Sequence, residues 1–222
     1  MQTNFSSLLQ QSVPNPNQIM DTLGNHYLKS FQLKEVDTLR TLSNVIVNLK
    51  ASHLYFIRLY VIEHLLRRKL GRILVEDFGG SWYSKQGVIL HDFQRKDIEE
   101  AKRRISSTEQ TLNHHTMTAF LPFGFWCSFF TRTYTHFWQK KKRIKRVLDT
   151  PTNLEYVIAL GKDLKKANQK RNQIAHHAPC VQDFPNAKEE IQSYCQFLEA
   201  ILSKLSPSRA TSLIEFIRII CQ

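Results

Sequence analysis

Arg171, Asn172 and His176 stand together in the stretch KRNQIAHHAPC, residues 170–180. Their types make a chemical set. A guanidinium can neutralise a phosphate with a planar, two-pronged fork. An imidazole exchanges protons readily near neutral pH. An amide can orient either one. On a helix, residues 172 and 176 lie one turn apart on one face, with Arg171 at its edge. Each residue taken singly has a plainer structural reading: an Asn that caps a loop, an Arg paired to a carboxylate, a His at a helix end.

Together the three fit cleavage of RNA without a metal. RNA carries its own nucleophile, the 2′-hydroxyl, beside the scissile phosphate, so a catalyst need only align, deprotonate and stabilise charge. DNA lacks that hydroxyl and would be spared. One chain offers one Arg–His set while acid and base roles both need filling, so a two-fold homodimer is expected.

The helix that must present this set is legible. Leu154, Val157, Ile158, Leu160 and Leu164 form an apolar stripe over 153–176, with Lys162, Lys165, Lys166 and Lys170 on the polar face. Pro179 disfavours helical geometry at Ala178, which places His176 and His177 in the last turn. The helix dipole favours a cationic imidazole there.

Around it the chain reads as all-α, with six or seven helices. Seven glycines and seven prolines in 222 residues leave few breakers. Residues 1–17 look like a polar lead-in, and 18–222 like a single helical domain. Apolar residues keep helical spacing from 17 to about 50. The strongest helix is expected over 51–76, stopped by Gly79 and Gly80. Residues 81–93 are irregular, and GVILHDF fits a small strand or a loop. Further helices are expected over 95–105, after Pro122, and over 186–205 and 208–220. Phe123, Phe125, Trp126, Phe129 and Phe130 have the spacing of core residues. Trp138, beside a basic run, is the aromatic expected to be exposed.

The charge points to a polyanion. Lys and Arg total 31 against 19 Asp and Glu, a formal net charge of +12, and such a surplus most often serves nucleic acid. KKKRIKR concentrates it: Lys140, Lys141, Lys142, Arg143, Lys145 and Arg146 are candidate phosphate contacts, as is Lys170. A solvated helix face is the plainer alternative. Other chemistries lack support. The pairs His114–His115 and His176–His177 and the thiol of Cys180 lack zinc-site spacing, and neither metal nor cofactor is expected. Four scattered cysteines suit reduced thiols. The N-terminus has no signal-peptide pattern. The apolar run 119–130 is shorter than the roughly 18 residues of a span. A cytoplasmic protein without a membrane partner is expected.

RNQIAHHAP resembles the Arg-x4-His motif of HEPN-domain ribonucleases, in the form with Asn directly after the Arg. Two upstream segments are similar to the Abi-like (AbiD/AbiF-type) abortive-infection family. IEHLLRRKLGRIL…GGSWY resembles its Glu-x3-Arg helix followed by Trp–Tyr. LPFGFWCSFFTRTYTHFW resembles its Phe-Gly-Phe-Trp block. The three come in the family's order over residues 51–179. The resemblance implies a helical HEPN fold, anti-phage defence, RNA cleavage or RNA binding, and kinship with the paired HEPN nucleases of RNA-targeting CRISPR effectors. It makes Arg171, Asn172 and His176 the catalytic set, with His177 in support. Glu63 and Arg67 match the family's pair, although an intrahelical ion pair explains them as well. Where the family usually has Asn after that Arg, this chain has Arg68, a possible second phosphate contact. A related class is silenced by nucleotidyl transfer onto a Tyr two residues past the histidine; Ala178 disfavours that here. The alternatives are a non-catalytic module that holds a structured or regulatory RNA, and a purely structural interaction domain.

Overall fold

A chain poor in glycine and proline, with apolar residues recurring every three or four positions, forms helices wherever breakers are absent. The computed structural model describes residues 38–85, 90–149 and 153–221, with Asn15, Ile19, Thr22, Leu23 and Phe31 before them. Among these residues every regular element is helical. The α-helices are α1 (Thr38–Phe78), α2 (Asp92–Ser107), α3 (His114–Phe120), α4 (Phe123–Ser128), α5 (Thr135–Trp138), α6 (Lys141–Leu148), α7 (Leu154–Ala175), α8 (Ala187–Leu205) and α9 (Ala210–Ile220). Short 3₁₀ turns cover Trp82–Ser84 and Arg132–Tyr134. The lead-in, apart from Asn15, and the first part, 17–37, of the helical stretch expected from 17 to about 50, apart from the isolated positions named, lie outside the described residues.

The nine described α-helices exceed the expected six or seven. The excess is α3 before Pro122, the basic run folding as α6, and the aromatic segment, which is broken. After Pro122, which starts α4, the chain turns at 129–134 and gives two short α-helices joined through a 3₁₀ turn in place of one helix. The boundary expected near residue 50 is absent. Helix α1 runs unbroken for 41 residues, because neither Gly nor Pro interrupts it before Gly71. It stops where expected: Gly79 takes φ +84° and its N–H bonds the carbonyl of Val75 at 2.7 Å. Within the segment read as strand or loop, 86–89 lie outside the described residues, and Asp92 and Phe93 already belong to α2. By length and apolar content α1 could cross a membrane. Leu59, Ile62, Leu66, Leu70, Ile73 and Leu74 on it are nonetheless covered by protein.

The chain divides into two compact units. One takes the described residues up to Ile57 together with Gln169–Phe197; the other takes Arg58–Asn168 and Leu198–Ile220. In the first, Phe31 and Val45 form a small buried cluster with Phe184 against it. Polar side chains also sit inside, Thr41 among them. Asn44 and Asn48, one turn apart on α1, are buried; Asn44 donates to the carbonyl of Phe31 at 3.2 Å.

In the second unit the aromatic segment is core. Phe123, Phe125, Trp126, Phe129 and Phe130 are buried. Trp138 is buried as well, which overturns the expectation that it is exposed; its indole N–H donates to the carbonyl of Phe129 at 2.6 Å, so the polar edge is satisfied inside. Trp82 of GGSWY is buried too and donates to Nδ1 of His114 at 3.0 Å. A charged knot joins three helices: Arg58 reaches Oε1 of Glu199 through two N–H groups at 3.1 and 2.8 Å, and Arg218 takes Oε2 at 2.9 Å. Helix α7 packs on the turn at Phe130 so closely that a Cβ on Gly161 would lie 2.1 Å from the Phe130 carbonyl oxygen.

Candidate active site

Helix α7 starts at Asn153, whose side-chain oxygen accepts the N–H of Tyr156 at 2.9 Å, satisfying one amide of the first turn. Val157, Leu160, Gly161, Leu164 and Ala167 supply its buried stripe. Its far end carries the Arg–Asn–His set. There the last turn closes in a two-bond C-cap: His177 N–H bonds the carbonyl of Ile174 at 3.1 Å, and Ala178 N–H bonds that of Gln173 at 2.9 Å. His177 occupies the left-handed position of this cap with φ +56°, a place more often taken by glycine. Pro179 follows directly.

Arg171 is half-buried, and Asn172, His176 and His177 are exposed. Among the described residues the side chains of Arg171, Asn172 and His176 have no hydrogen bond or ion pair. Among the described residues Asn172 caps no loop and Arg171 meets no carboxylate. The backbone N–H of His176 bonds the carbonyl of Asn172 at 3.0 Å, keeping the two residues in helical register one turn apart.

The segment after the motif is held firmly within the same unit. The Asn48 side-chain oxygen accepts the N–H of Cys180 at 2.7 Å and that of Val181 at 3.4 Å. Lys170 donates to the Cys180 carbonyl at 2.7 Å and lies over the Tyr194 ring, 5.1 Å from its centroid. Its ammonium is thereby committed to closing the loop. The Cys180 thiol donates to the Asn48 carbonyl at 3.7 Å and lies 3.3 Å from Ser52 Oγ. Burial pushes this thiol up, outweighing the Ser52 hydrogen bond, so it stays protonated and serves as packing. Asn48, Ser52 and Tyr194 were not singled out from the sequence. The available signal was Asn44 and Asn48 breaking the apolar face of a long helix.

The remaining candidates lie in the other unit. Arg67 donates through Nε to Glu63 at 3.0 Å, pairs with the same carboxylate through Nη2, and reaches the carbonyls of Thr118 and Ala119 through Nη1. The pair therefore clamps α1 to the end of α3. Arg68 is exposed. Within the basic run Lys140, Lys142 and Lys145 are exposed, and the side chain of Lys141 lies outside the described residues. Arg146 pairs with Glu76 at 2.6 Å. Arg143 points inward: it is buried, pairs with Asp77 at 2.5 Å, donates to the Phe137 carbonyl at 2.8 Å and lies over the Phe137 ring. Among the described residues no three His, Cys, Asp or Glu side chains gather as a metal site would require.

No family model, no curated protein and no solved structure matches this chain.

Proposed function

We propose that the chain is a metal-independent endoribonuclease of the HEPN class, acting in the cytoplasm in abortive-infection defence. In this reading Arg171 stabilises the scissile phosphate, His176 serves as general acid or base, and Asn172 positions them. The 2′-hydroxyl attacks the adjacent phosphorus, the 5′-oxygen leaves with a proton, and the products end in a 2′,3′-cyclic phosphate and a 5′-hydroxyl. A homodimer would supply a second Arg–His set for the complementary proton transfer.

The observation that carries this reading is the state of the trio. A guanidinium, an amide and an imidazole stand at one helix tip without partners among the described residues. Their exposure, partial for Arg171, leaves all three groups open to a bound phosphate. Exposed Lys140, Lys142 and Lys145 supply attraction for a polyanion.

Incubating the protein with labelled RNA in EDTA tests it. The parent should release fragments ending in a cyclic phosphate, and His176→Ala should lose cleavage by about 10²-fold or more while keeping its helical spectrum. Cleavage by His176→Ala at the parental rate would overturn the assignment.

A non-catalytic RNA-binding module is the second reading. It is favoured by the exposed lysines, which ask only for phosphates and not for chemistry. RNA that copurifies intact and is released by Arg171→Ala, with no cyclic-phosphate product from the parent, would establish it in place of the first.

A further inference from the structure

Arg68 and Arg72 lie one turn apart on α1, and Arg209 lies in the turn just before α9. All three line one cavity of about 490 Å³ within the second unit. That volume falls in the range of small-molecule sites, roughly 300–1,000 Å³.

The other charges on its wall are already spent. Lys69 donates to the Val147 carbonyl at 2.9 Å, to Asp149 at 2.8 Å and to the Leu205 carbonyl at 2.7 Å, which uses all its protons. Arg146 is neutralised by Glu76 at 2.6 Å. Both carboxylates in the lining are thus paired with the two cations that need them. Arg68, Arg72 and Arg209 are exposed, and their side chains have no hydrogen bond or ion pair among the described residues. Like charges one helical turn apart repel, and gathering three around a concavity is favourable when an anion fills it. Ser206 and Ser208 add hydroxyls to the same wall.

The lining also says what the anion lacks. Ile73 is its one apolar side chain and no aromatic ring is present, so the lining offers a base no aromatic platform. Five cations against two carboxylates leave a surplus of three positive charges. Planar guanidinium forks match phosphate oxygens in pairs.

We propose that this cavity binds the di- or triphosphate group of a small molecule, reading the phosphate chain and not the base. The inference does not depend on the ribonuclease reading, because none of its residues belongs to the Arg–Asn–His set.

Titration calorimetry on the full chain with inorganic tripolyphosphate, orthophosphate and ATP tests it. Tripolyphosphate should bind one to one and more tightly than orthophosphate, and ATP should match tripolyphosphate within about threefold. The double variant Arg72→Gln/Arg209→Gln should weaken tripolyphosphate at least tenfold with an unchanged melting temperature in its absence, while His176→Ala should bind it as the parent does. Lack of saturable binding, or equal binding by the double variant, would overturn the proposal. Displacement of tripolyphosphate by an oligoribonucleotide with a 5′-hydroxyl end, at equal phosphate concentration, would overturn it in favour of an RNA-backbone site.

Discussion

The side-chain oxygen of Asn48 accepts the backbone N–H of Cys180 at 2.7 Å, so one buried amide on α1 fixes the segment that follows the Arg–Asn–His helix. A second donor, Val181 N–H, shares that oxygen at 3.4 Å. Asn48→Ala removes the acceptor and strands two buried donors, each wanting a partner that water cannot supply. The expected loss is about 1–3 kcal/mol of stability, read as a lower denaturation midpoint in urea. Cleavage per folded molecule should also fall if the turn after the helix sets the posture of His176. An unchanged midpoint would show that the Cys180 and Val181 amides find other partners.

His177 answers a different question. Its φ of +56° places it where glycine would be relaxed, so the residue shapes the cap by tolerating the left-handed region, which histidine does better than most. His177→Gly should therefore raise stability by about 0.5–1 kcal/mol, partly offset by the freer unfolded chain. RNA cleavage should remain near the parental rate, since His176 is the imidazole in helical register with Asn172. Loss of cleavage with retained stability would move His177 into the chemistry.

These two residues also show where sequence reasoning reaches and where it stops. The helix tip was legible because Pro179 and the stripe Val157, Leu160, Leu164 are local signals, and the aromatic core was legible from helical spacing. Trp138 was misplaced because its basic neighbours suggested solvent, whereas the carbonyl of Phe129 satisfies its indole inside. The unbroken run of α1 through residue 50 was hidden by a weak point in the apolar pattern, although no breaker stood there. Asn48 was invisible as a partner of Cys180, because a contact across 132 positions leaves no periodicity to read.

Gly161 makes a packing prediction. A Cβ there would stand 2.1 Å from the Phe130 carbonyl oxygen and 2.9 Å from its carbonyl carbon, both backbone atoms in a tightly turned segment. Helix propensity alone would make Gly161→Ala stabilising by about 1 kcal/mol. Overpacking against backbone opposes it and should win, for a net loss of about 2–3 kcal/mol. Calorimetric melting decides the sign. A stabilised variant would show that α7 can move away from the turn without cost.

The basic run separates into residues that hold the fold and residues free to meet a polyanion, and helical period makes the division. Arg143, Ile144, Val147 and Leu148 are buried on one face of α6, while Lys142 and Lys145 are exposed, as is Lys140 just before it. Arg143→Ala should cost about 1–3 kcal/mol of stability, because it leaves the Phe137 carbonyl without its donor, unpairs Asp77 and removes the guanidinium from the Phe137 ring. The triple variant Lys140→Ala, Lys142→Ala and Lys145→Ala should keep its melting temperature but bind RNA more weakly. If each lysine neutralises one phosphate of a single strand, the slope of log affinity against log salt should fall by about 2 in magnitude. Measuring that slope for parent and triple variant checks the assignment. An unchanged slope would mean that RNA approaches another surface and that these lysines only solvate the helix.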